Sequence, residues 1–144
     1  MVTAGKRSGK VQWEKFKDES VVTSYFEHFN AGEFEQAAHL FTPEGMLQPP
    51  FEEPVVSPTA IAQYLKSQAK GMQAFPKEVE LDDASAPQLC QVVVRGQVTA
   101  VVFKVNAAWI FELSPTGQIQ HLRVKLLATM QELLNLRDPH AKPE

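Results

Sequence analysis

VVFKVNAAWIFEL, running from Val101 to Leu113, decides the fold. Its odd positions, Val101, Phe103, Val105, Ala107, Trp109, Phe111 and Leu113, are all apolar, whereas Lys104, Asn106 and Glu112 fall at even positions. That period of two predicts a strand with one buried face. At roughly 3.3 Å per residue the stretch would span about 40 Å, well beyond the usual strand of about five or six residues. A strand that long bends, and a bent sheet encloses volume. Trp109 sits on the enclosed face and brings an indole N–H that needs an acceptor if buried.

Working outward, the neighbouring segments share the strand period: about Lys77 to Leu81, Gln88 to Val98, and Gln118 to Leu127. Ser114, Pro115, Thr116 and Gly117 form a compact turn between the last two, which predicts an antiparallel hairpin. Gly96 marks a candidate bulge. The second half of the chain therefore reads as consecutive strands.

The first half reads as helices. After Asp18 or Ser20, either suited to an N-cap, Val22, Tyr25, Phe26 and Phe29 repeat at helical spacing, and Asn30 and Gly32 supply a stop. A second short helix follows, with Phe34, Ala37, Ala38 and Phe41 on its apolar face. Pro43, Pro49, Pro50, Pro54 and Pro58 then stiffen a segment with at most a short strand at Met46 to Gln48, a rim or edge rather than a central strand. Ser57 before Pro58 opens a third helix, along which Ile61, Tyr64, Leu65 and Gln68 recur toward Gly71. A last helix is expected over about Thr129 to Leu136. Helices first and strands afterwards give an α+β domain in which helices cover one face of an antiparallel sheet, and the curvature makes it an open cone. We divide the chain into a flexible N-terminal arm (1–17), one ligand-binding domain (18–137) and a C-terminal tail (138–144).

Composition narrows the function. The 144 residues carry 14 Lys plus Arg against 17 Asp plus Glu, a net charge of −3, which supplies no basic field for nucleic acid. No apolar run has the length of a membrane span or a secretory core, so a cytoplasmic protein is expected. Cys90, the single cysteine, excludes an internal disulfide. It reads either as a buried small hydrophobe or as a thiol linking two copies. The four histidines lack metal-ligand spacing, and no metal is expected. Tyr25 and Trp109 form the sharpest pair, each bringing one neutral donor to an apolar face. They are either core aromatics bonded to backbone or a clamp for one carbonyl oxygen.

The stretches YFEHFNAGEFEQAAHLFTPEGMLQPPF, NAAWIF and LLATMQELLN resemble the C-terminal domain of the orange carotenoid protein and its free-standing homologues, members of the nuclear-transport-factor-2-like (NTF2-like) fold. The resemblance covers about Ser20 to Leu136. It implies that Tyr25 and Trp109 donate hydrogen bonds to the keto oxygen of a ketocarotenoid such as canthaxanthin or echinenone, with Phe29, Val98 and Phe111 lining the pocket. It further implies a photoprotective carrier that quenches singlet oxygen, works as a homodimer, and exchanges pigment with a helical-domain protein or, transiently, a membrane. The chain departs from the family where TAVVFK replaces a longer TPWFGG-type turn, where Lys125 stands in VKLLA, and where Ser67 and Gln68 replace an acidic pair of the third helix.

Two rivals remain. An enzyme of this fold acting on a small apolar substrate requires an inward acid or base, and a small pocket would favour it. The final strand offers His121, Arg123 and Lys125 in one register and Leu122, Val124 and Leu126 in the other, and the apolar register is expected inward, so no catalysis is expected. A non-binding dimerisation module would have a filled core.

Overall fold

The computed structural model describes residues 9–16, 20–82, 90–100 and 104–127. Along the chain run β1 (Gly9–Gln12), α1 (Trp13–Phe16), α2 (Val21–Ala31), α3 (Phe34–Ala38), β2 (Phe41–Gln48), β3 (Val55–Val56), α4 (Pro58–Gln68), β4 (Gln73–Asp82), β5 (Cys90–Thr99), β6 (Lys104–Leu113) and β7 (Ile119–Leu127). The strands form one seven-stranded sheet in the order β1-β4-β5-β6-β7-β2-β3.

Local chemistry sets the helix ends. The Ser20 hydroxyl accepts from the Thr23 N–H at 3.2 Å and starts α2. Gly32, at φ 78°, ends it in the left-handed conformation while its N–H donates to Phe29 O. Ser57 caps α4 in the same way, accepting from Ala60 N–H at 3.3 Å, with Pro58 at the first turn.

The core lies between the helices and the inner face of the sheet. Cross-strand rows Val79–Val94–Trp109–Val124 and Val92–Phe111–Leu122 follow from the register, and Val22, Tyr25, Phe26, Ile61 and Leu65 close over them, all buried. β6 keeps the expected faces: Ala107, Trp109 and Phe111 are buried while Lys104 is exposed. Residues 101–103 of the quoted stretch lie outside the described residues, as do the expected last helix and the tail.

Three expectations change. The sheet is mixed, because β2 runs parallel to β7: β7 returns from the β6 hairpin into the slot beside β2, so its direction is set by β6. β2 begins at Phe41, which reads as helical in sequence because Phe34, Ala37 and Ala38 precede it at helical spacing. Phe41 instead pairs with Ile119. Residues 9–16, within the expected arm, form β1, paired with β4 from Gly9↔Leu81 to Gln12↔Glu78, and α1, whose buried Trp13 meets Phe26 edge-on at 5.4 Å. Gly96 sits opposite a bulge in β4 between Pro76 and Glu78; a Cβ there would lie 2.2 Å from the Phe75 carbonyl oxygen.

Candidate functional site

Tyr25 points from α2 into a cage of aromatic rings. Phe26 and Phe111 meet it edge-on at 5.6 and 5.7 Å, Phe29 lies tilted at 5.9 Å, and Phe41 is edge-on at 6.3 Å. Such edge contacts suit the ring quadrupole and hold the phenol in one orientation. Trp109 reaches the same region from β6, with Phe26 edge-on to it at 5.0 Å. Tyr25 is 2% and Trp109 4% exposed.

Among the described residues, neither the Tyr25 hydroxyl nor the Trp109 indole N–H has a protein hydrogen-bond partner. Neither is sealed in protein: the one fully enclosed unpaired side-chain polar atom among those residues is His121 Nε2. Both residues line one cavity of about 160 Å³. Burial pushes the Tyr25 phenol far above its ordinary pKa, because the phenolate would lose its hydration. Tyr25 is a neutral donor throughout the physiological range.

The cavity has an apolar floor and a wetter mouth. Leu47, Leu65 and Ala69 line the floor beside the two donors and are buried. At the mouth stand Gln68 and Leu126, both exposed, and the half-buried Pro50, Tyr64, Val98 and Val124. Tyr64 donates to Glu52 Oε1 over 3.4 Å, and its pKa is raised by partial burial and by the Glu52 charge. Among the described residues, no carboxylate or imidazole lines the cavity; the polar side chains among them are two phenols, one indole and one amide.

Of the residues singled out in the sequence, Tyr25, Trp109, Phe29 and Val98 all border this cavity. Phe111 does not: it is fully buried and forms part of the cage behind Tyr25. Cys90 is half-buried at the start of β5, opposite Leu113 on an interior strand. Tyr64, Leu65 and Gln68 were legible only as a helical stripe, and Leu47, Pro49 and Pro50 only as a rim. The signal that they line a pocket was the proline pair, which ends β2 and turns the chain across the cone.

Residues 18–124 match the nuclear transport factor 2 (NTF2) domain family. The orange carotenoid-binding protein of Synechocystis sp. is 32% identical over 120 residues, covering 81% of this chain and 38% of that protein. The structure of the Anabaena (Nostoc) sp. orange carotenoid protein binding canthaxanthin superposes with a TM-score of 0.73 at 32% identity, over 83% of this chain and 40% of that one. The epoxide hydrolase/cyclase-like enzyme SalBIII, with a TM-score of 0.58 at 22% identity over 78% of this chain and 90% of its own, shares the fold. This chain thus spans about two fifths of its carotenoid-binding relatives.

Proposed function

This chain belongs to the NTF2 domain family, and on that premise we propose that it is a ketocarotenoid-binding carrier. It holds the keto ring of a pigment such as canthaxanthin or echinenone at the closed end of the cavity, in a photoprotective role. One observation carries the reading. Two neutral donors, Tyr25 and Trp109, line one largely apolar cavity and have no hydrogen-bond partner among the described residues. A ketone oxygen offers two lone pairs and brings no donor of its own, so one oxygen satisfies both groups. Relatives over most of this chain are carotenoid-binding by name.

The chemistry follows from neutrality. Donors that carry no charge polarise the conjugated ketone without moving a proton, and the pigment is bound rather than converted. Two hydrogen bonds to the keto oxygen draw electron density along the polyene and shift its absorption to the red. A cavity of about 160 Å³, below the roughly 300 Å³ of common ligand pockets, takes a ring but not a polyene. The rest of the pigment leaves through the mouth, and a second copy of the chain covers it in a loaded homodimer. Exchange with a helical-domain protein or with a membrane, in the cytoplasm, completes the carrier's cycle. No helix among the described residues is long and apolar enough to cross a membrane.

The small cavity is the observation that favours the rival, an enzyme for a small apolar substrate. Against it stands a lining that, among the described residues, has no carboxylate or imidazole to serve as acid or base. Expression in cells that make canthaxanthin tests the proposal. We expect pigment to co-purify at about one molecule per two chains, and a protein that stays colourless would overturn it.

A further inference from the structure

Two residues other than glycine hold a positive φ among the described residues, Phe51 at 63° and Ser57 at 89°. They bracket the segment from Glu52 to Val56, beside the mouth of the cavity. Left-handed backbone crowds a Cβ and is strained for either residue. Ser57 is tied down: its N–H donates to Gly45 O at 2.9 Å, its carbonyl accepts from Ile61, and its hydroxyl caps α4. Phe51 has no such hold. It is 92% exposed, the most exposed large apolar side chain among the described residues.

The preceding residues Pro49 and Pro50 are themselves cavity wall, and adjacent prolines fix where Phe51 begins. The Phe51 Cα is thus one peptide, about 3.8 Å, from the wall. Downstream, Val55 and Val56 are held by pairing with Leu47 and Met46, so the loose part of the strap is 51–54, where the bond from Tyr64 to the exposed Glu52 is weak at 3.4 Å. Two fixed ends, one weak tie between them and one strained, solvated aromatic beside an apolar opening describe a cover standing open.

We propose that the loop from Phe51 to Pro54 is a lid, and that Phe51 folds across the mouth onto the bound ligand. The proposal rests on the carotenoid reading above. Closure relaxes the Phe51 backbone, buries its ring against the first part of the polyene to leave the cavity, and slows release. The ring stays remote from the two donors, so closure leaves the colour unchanged.

The test loads the protein with canthaxanthin by co-expression and follows pigment transfer to phosphatidylcholine vesicles by absorption. Phe51→Ala is expected to release pigment about tenfold faster, the order expected for losing one large apolar contact, with the absorption maximum unmoved. Phe51→Leu, which keeps an apolar cover, is expected to stay close to the wild type. Because Phe51 is solvated, both variants should melt with the wild type. Coloured protein whose Phe51→Ala release rate matches the wild type overturns the lid alone. Slower uptake from vesicles with unchanged release also overturns it, making Phe51 a lipid-touching residue. A wild type that takes up no pigment overturns the carotenoid reading and the lid together.

Discussion

For the proposed clamp Tyr25 has to remain a donor, and its burial keeps the phenol neutral at a cost visible only in alkali. Its folded pKa lies above the unfolded value of about 10. Above about pH 10 the unfolded chain sheds a proton that the folded chain keeps, so Tyr25 withdraws stability as pH rises, by up to about 1.4 kcal/mol per unit. Below that pH it contributes no slope. Urea midpoints at pH 9 and pH 11 should therefore fall further for the wild type than for Tyr25→Phe; equal losses would mean that the phenol is not buried in solution. Phe111 illustrates the limit of reading a residue from its strand face. It shares the inward register with Trp109, but the neighbouring row puts it under the Tyr25 ring, so it orients the donor instead of touching the cavity.

At the scale of elements, the site depends on how α2 docks on the sheet. Asn30, which in the sequence looks like a stop signal, lies in the last turn of α2 and mimics a strand: its Nδ2 donates to Ala74 O at 2.8 Å and its Oδ1 accepts from Ala74 N–H at 2.7 Å. This pair fixes the end of the helix that carries Phe29 and Tyr25. Asn30→Ala should cost about 2–3 kcal/mol, for two hydrogen bonds and the backbone groups left unpaired, read from urea unfolding. Gly96→Ala should cost about 1–3 kcal/mol as an overpacked contact, since its Cβ would strike the Phe75 carbonyl; a neutral result would show that the bulge opens freely. Period-two and helical spacing, with caps at Ser20, Gly32 and Ser57, made α2, α4 and the hairpin legible. The parallel β2–β7 pair was not legible, because strand order depends on contacts across most of the chain and no local pattern encodes them. The start of β2 was hidden by the helical spacing that leads into it. The Asn30 bridge spans 44 residues and leaves no periodic trace.

For the whole molecule, the central claim is that one cone holds one ring and leaves the remaining polyene to be covered. Sedimentation of loaded protein should give the mass of two chains, and loaded protein that sediments as a single chain would remove the second copy from the account. Gln68 bears on the same point, since it stands at the cavity mouth and would present an uncharged rim to an emerging polyene. The measurement that tests the claim most directly is the visible absorption spectrum of protein purified from cells making canthaxanthin, beside a Tyr25→Phe, Trp109→Phe double variant. The account predicts a red-shifted band in the wild type that weakens or moves back in the variant. A pigment bound with the same spectrum in both proteins, or a colourless wild type, would contradict it.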